Sequence, residues 1–233
     1  MTTRRRARSP RGAGEILAEE IIEAAGELLV EHGDDTAMSI RAVATRVGVT
    51  PPSIYLHFAD KGALLDAVCA RYFERLDAQL DAATEDITDP LDRALQLGLA
   101  YIRFAIATPV LYRVAFGKPA DAAHPSKVDQ VLTASAYTRF VDTVTELADE
   151  GMFDRDEVND VVLELWAAAH GIASLMLAKP GLGWGDQFER AESMLKAVCL
   201  GRAVMTVNAG TRDSETARSW LMTLRSRQDG ERS

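Results

Sequence analysis

The 233 residues are 47% apolar and 26% charged, the balance of an ordinary globular protein able to bury one large core or two moderate ones. No apolar run approaches the roughly 20 residues needed to cross a bilayer, and no apolar stretch follows the N-terminal arginines as a secretory signal would require. The net charge of −9 excludes a uniformly basic nucleic-acid binder, but it is unevenly spread: through Lys61 there are 8 Lys+Arg against 9 Asp+Glu, and beyond it 18 against 26.

Residues 1–13, with five arginines (Arg4, Arg5, Arg6, Arg8, Arg11), have no periodicity and read as a disordered basic arm. Such an arm would follow phosphates or enter a minor groove, or would simply be a solvated tail. Residues 14–32 form an amphipathic helix, with Leu17, Ile21, Ala25, Leu28 and Leu29 inward and Glu15, Glu19, Glu23 and Glu27 outward. His32 and Gly33 end it, with His32 in the cap.

From Ser39 the pattern shortens. Ser39 is an N-cap, and Ile40, Val43, Ala44 and Val47 have the one-sided spacing of a short helix stopped by Gly48. Thr50 caps a second helix with Pro51 at its first position and Pro52 in its first turn. At about 100° per residue, Ile54 and Phe58 turn inward. Pro52, Ser53 and Leu56 then point away, with Tyr55 and His57 on the flanks. A helix this short needs its neighbours for stability, and it offers them one face while presenting the other outward. This is helix-turn-helix geometry, in which the second helix enters the major groove. Asp60 caps a longer helix over 61–83 that carries Leu64, Leu65, Val68, Tyr72, Leu76 and Leu80 inward.

Helices follow from Pro90, with Leu95, Leu99, Ile102 and Ile106, and from Thr108-Pro109 to Gly117. A loop over 117–125 holds His124. The next helix runs 126–149 with Val128, Leu132, Tyr137, Phe140, Val141 and Val144, and Gly151 ends it. Two long helices, 156–178 and 186–207, flank the loop Gly181–Asp186, and the polar tail has room for one short helix. No strand-like alternation or repeat occurs, so the fold class is all-α. The domains read as the arm 1–13, a reader over 14–60, a ligand-binding and dimerisation domain over 61–210, and a tail over 211–233. Cys69 and Cys199, 130 positions apart in apolar patterns, read as buried free thiols of a reducing cytoplasm.

Residues 50–68, with Tyr55-Leu56-His57-Phe58, Asp60-Lys61 and Leu64-Leu65, resemble the recognition helix and following segment of the tetracycline-repressor (TetR) family of bacterial transcription regulators. The likeness covers residues 15 to 68. Leu165–Gly171 is also similar to a Trp-x-x-x-His-Gly signature in the C-terminal domain of one TetR-like subgroup. The resemblance implies a dimeric, cytoplasmic repressor of an operator in double-stranded DNA, released by a small apolar ligand; an activator or a ligand-independent regulator is the alternative. Position by position it implies phosphate contacts from Ser39, Arg41, His57 and Lys61. Thr50, Pro51 and Ser53 would face base edges, and Tyr55 the backbone or a thymine methyl. Pro52 departs from the family pattern and shifts readout towards van der Waals contact.

The resemblance also implies a twofold four-helix bundle made by the last two large helices. Val161, Ala168, Gly171, Ile172 and Leu175 would meet the partner, joined by Leu195 and Val198; an ordinary intrachain core is the other reading of these stripes. Trp166 and His170, four apart, share the opposite face. With Tyr101, Phe104, Tyr112, Phe116, Tyr137 and Phe140 they are candidate walls of an effector pocket, although aromatics at helical spacing also fill cores. His32, His57, His124 and His170 sit on separate elements without metal-ligand spacing, and no Gly-rich phosphate loop is present, so no enzyme, metal or cofactor is expected.

Overall fold

The computed structural model describes residues 13–33, 38–117 and 136–207, and within the tail 215–216, 218–220, 222–223 and 226. The arginine arm over 1–12, the loop with His124, and the expected helix start with Val128 and Leu132 lie outside the described residues. Among the described residues there is no strand. The helices are α1 (Ala13–His32), α2 (Ile40–Val47), α3 (Pro51–Tyr55), α4 (Lys61–Thr84), α5 (Pro90–Ala107), α6 (Pro109–Gly117), α7 (Ala136–Asp149), α8 (Val158–Ala178, entered through a 3₁₀ turn Arg155–Glu157) and α9 (Gln187–Val207). The described tail residues are helical.

The stops and starts are chemical. Ser39 Oγ accepts from the Ala42 N–H at 3.1 Å, Asp60 Oδ1 from Ala63 at 2.8 Å, and Asp186 Oδ1 from Phe188 and Glu189. Each fills an orphan donor of a first turn. His32 Nδ1 lies 2.8 Å from the Leu28 carbonyl, and Gly33 follows with φ 84°. Gly48, with φ 78°, closes α2 by donating to Ala44. Thr50 departs from expectation. It occupies the N-cap of α3, but its hydroxyl pairs with the Ser53 hydroxyl at 3.0 Å rather than with a backbone N–H. Pro51 and Pro52 supply no donor, and the Ser53 N–H is taken by the Thr50 carbonyl.

The chain divides into two compact units, one of residues up to Glu85 plus Arg103–Arg139, the other of Asp86–Ile102 plus Phe140 onward. Within the first of these, α4 and α6 pack against α1 and against each other. In the first unit Ile21, Ala25, Leu28 and Leu29 of α1 meet Val43 and Ala44 of α2, Ile54 of α3, and Leu64, Leu65 and Val68 of α4. Behind them Tyr72, Phe73, Phe104, Tyr112 and Phe116 stack at centroid distances of 5.0–5.3 Å.

In the second unit α8 packs on α9. Its core includes Leu97, Leu99, Ile102, Phe140, Leu147, Val162, Ala169, Ala173 and Cys199. The segment Arg155–Ala178 is long and apolar enough, by length and composition, to cross a membrane, its most apolar 18-residue stretch having a mean hydropathy of 1.7. The sequence reading missed this because Asp160, Glu164 and His170 interrupt the run. Its Val161, Val162, Leu165, Ala169 and Ala173 are buried within the unit, as in the core helix of a globular protein.

Candidate functional site

The second helix of the reader is five residues long and is held from one side. Ile54 is fully buried and Phe58 nearly so, whereas Tyr55 is 53% and Leu56 84% exposed. The outward side of α3 thus presents two adjacent large apolar side chains to solvent. Ser39, Arg41, Thr50 and Tyr55 are exposed, and Pro51, Ser53, His57 and Lys61 are half-buried. The eight expected DNA-facing residues thus fall on the start of α2, on the α3 segment and on the start of α4. His57 sits beside the first turn of α1, its Cε1 3.8 Å from the place of a Cβ on Gly14.

The glutamates of α1 do more than face water. Arg46 of α2 reaches Glu27 at 3.1 Å and Glu31 at 2.5 Å. Arg71 and Arg75 of α4 pair with Glu19 and Glu23. The Arg46 guanidinium holds the Glu31 carboxyl below its usual range, and the two glutamates raise Arg46. Arg46 is therefore engaged within the protein rather than waiting for a phosphate. The four-residue spacing of the glutamates was the sequence signal; their partners, 15 and more positions away, were not readable.

The eight expected pocket residues divide between the units. Phe104, Tyr112 and Phe116 belong to the aromatic stack of the first, where Tyr137 is half-buried. Burial pushes the Tyr72 phenol far up, against the hydrogen bond it shares with Thr108. In the second unit Tyr101 is 2% exposed, and its hydroxyl lies 2.8 Å from His170 Nδ1. Burial lowers the His170 pKa from 6.5, so the ring is neutral at pH 7. Phe140 is buried and Trp166 half-buried.

The seven expected partner-facing residues differ in burial within the single chain. Val161 and Leu195 are buried inside the chain, the latter so close to α5 that a Cβ on Gly98 would lie 2.9 Å from its Cδ1. Ala168, Ile172 and Val198 are half-buried, and Gly171 and Leu175 exposed. The exposed apolar and small positions are Leu163, Ala167, Gly171 and Leu175 on α8 and Met194, Ala197, Gly201 and Met205 on α9. Two apolar faces were legible on these helices; which one the chain itself covers was not.

Comparison with known proteins identifies the family of both helical parts. Residues 21–68 match the family model for bacterial regulatory proteins of the tetR family, and residues 94–200 that for a tetracyclin repressor-like C-terminal domain. The C-terminal match does not specify a Trp-x-x-x-His-Gly subgroup. The HTH-type transcriptional repressor KstR of Rhodococcus jostii is 31% identical over 169 residues, covering 64% of this chain and 78% of that one. The HTH-type transcriptional regulator YobS of Bacillus subtilis is 28% identical over 179 residues, 76% and 84% of the two chains. A Rhodococcus sp. RHA1 structure superposes with TM-score 0.70 at 30% identity, covering 79% of this chain and 94% of that one. A helix-turn-helix reader joined to a tetracycline-repressor-like helical domain makes this chain a member of the TetR family of bacterial transcription regulators.

Proposed function

We propose that this regulator is a cytoplasmic homodimer that represses transcription from a specific operator and leaves it when a small apolar ligand binds. The observation that carries the reading is the exposed Tyr55–Leu56 pair above the buried Ile54 and Phe58. Residues 14–60 read the major groove. Thr50, Pro51 and Ser53 meet base edges, Tyr55 meets the backbone or a thymine methyl, and Ser39, Arg41, His57 and Lys61 position the helix on phosphates.

A reader this small needs two half-sites about 34 Å apart for useful affinity. The exposed apolar positions of α8 and α9 support pairing, since Leu163, Leu175, Met194 and Met205 are each more than a third exposed. Residues 61–210 carry that interface and the effector site. Among the candidate pocket residues, Tyr101 and His170 supply a linked polar pair beside apolar walls. A ligand that binds one spacing of the two readers better by about 1–3 kcal/mol gives useful coupling. Repression is favoured over activation because the relative KstR is a repressor.

Fluorescence polarisation on the protein's own promoter, with the purified chain and a library of apolar ligands, tests the reading. Sequence-selective binding weakened by a ligand is the expected result. Binding blind to sequence under every condition would overturn it.

A further inference from the structure

Where α1, α4 and α6 meet there is a cleft of about 320 Å³. Its floor is apolar: Ile22, Gly26 and Val30 from α1, Val68 and Tyr72 from α4, Leu111 from α6. The volume lies within the range of small-ligand pockets, roughly 300–1,000 Å³. None of the eight candidate effector residues lines it.

Gly26 is the residue that packing does not explain. It sits inside α1 with helical backbone, where glycine weakens a helix relative to alanine. A Cβ there would meet Val68 Cγ1 at 3.8 Å, an ordinary contact. Neither the backbone nor the neighbours require glycine. What the missing side chain does is keep the floor of the cleft open. Val30 stays 55% exposed, so the cleft leaves apolar surface in water.

The charges around the floor are unequal. Arg75 is held by both oxygens of Glu23, at 2.6 and 2.7 Å, and Arg71 by Glu19 and Glu74. Glu27 and Glu31, which border the other part of the cleft, share the single guanidinium of Arg46. Three carboxylates on Arg71 and Arg75, and two on Arg46, leave each end with one negative charge in excess. An anionic ligand would have to strip carboxylates from Arg71 or Arg75, whereas a cation gains from the unbalanced pair.

We propose that this cleft binds a small amphipathic organic cation, its apolar body on the floor around Gly26 and its ammonium or amidinium group at Glu27. The ligand would touch α1 of the reader and Tyr72 of the aromatic stack together. It thereby forms a second input to the regulator; that regulatory part rests on the proposed function, while the binding does not.

The test uses the full chain and three probes of one shape: 4-phenylbutylammonium, 4-phenylbutanol and 4-phenylbutanoate. Methyl NMR titration should show the cation moving the resonances of Ile22, Val30, Val68 and Leu111. The alcohol should bind roughly tenfold more weakly, and the carboxylate not detectably. Gly26→Val should remove the response. Gly26→Ala, which keeps the fold with an equal or higher melting temperature, should weaken it, and Glu27→Gln should bring the cation down to the level of the alcohol. No response to the cation, equal affinity for all three probes, or binding undiminished in Gly26→Ala and Glu27→Gln would each overturn the proposal, whatever the operator assays give.

Discussion

Arg46 Nη2 lies 2.5 Å from Glu31 Oε2, tying α2 back onto α1. An arginine beside a DNA-binding surface is ordinarily counted among its phosphate contacts, and this one is occupied. The distinction is measurable through salt. Replacing a phosphate contact lowers the slope of log affinity against log salt by about 0.9. Arg41→Gln and Lys61→Gln should each do so, whereas Arg46→Gln should weaken operator binding with the slope unchanged. A lowered slope in Arg46→Gln would mean that the pair opens on DNA.

Tyr55→Ala should lower operator affinity by about 1–3 kcal/mol, roughly 5- to 150-fold, with helicity and oligomeric state intact. Ile54→Ala removes the buried side of the same helix and should instead cost about 2–5 kcal/mol of stability. Polarisation assays beside thermal melts separate the two effects. Unchanged affinity in Tyr55→Ala would mean that the exposed face of α3 is not the docking face.

The neutral His170 ring makes stability depend on pH. Its folded pKa lies below the unfolded 6.5, so the unfolded chain takes up the proton first as pH falls. Stability from this group is complete above about pH 6.5 and is lost as pH falls towards the folded pKa. The melting temperature should therefore decline on mild acidification, and His170→Gln should flatten that decline. An equal decline in His170→Gln would assign it to other groups.

Gly98 is a glycine that packing does demand. Leu195 Cδ1 and Cδ2 would lie 2.9 and 3.3 Å from an added Cβ. Gly98→Ala should cost about 1–3 kcal/mol through overpacking, less what the better helix former returns. In a Leu195→Ala background the same change should be neutral or stabilising, a coupling that a double-mutant cycle reads directly.

A charge placed on the open face of α8 should break the proposed dimer without unfolding the subunit. Gly171→Glu is the sharpest choice, since nothing lies within 4 Å of a Cβ at that position in the single chain. Sedimentation should then report a monomer, and operator affinity should fall with it. A dimer that survives Gly171→Glu would place the interface elsewhere.

Much of this was legible because helix punctuation is local chemistry. Ser39, Gly48, Asp60 and Asp186 act within four residues of themselves, and each does what its type suggests. Ile54 and Phe58 were readable from angle alone. Long-range choices were not. Periodicity gave α8 two apolar faces but could not say that Val161 goes inside. Aromatic spacing likewise could not tell the stack of Phe104, Tyr112 and Phe116 from a pocket wall. Thr50 makes no side-chain cap because the Ser53 N–H, the donor three positions on that the Ser39 and Asp60 caps use, goes to the Thr50 carbonyl, and the two hydroxyls pair with each other.

Pro51 and Pro52 have a consequence for the nucleic acid itself. Each ring fixes φ near −65°, so the entry of the recognition helix has almost no freedom to adapt when it meets a duplex. The adjustment at that contact falls to the double helix, whose willingness to bend, twist or widen varies from one dinucleotide step to the next. Sites that deform cheaply will be preferred over stiff ones, even at base pairs that no side chain touches.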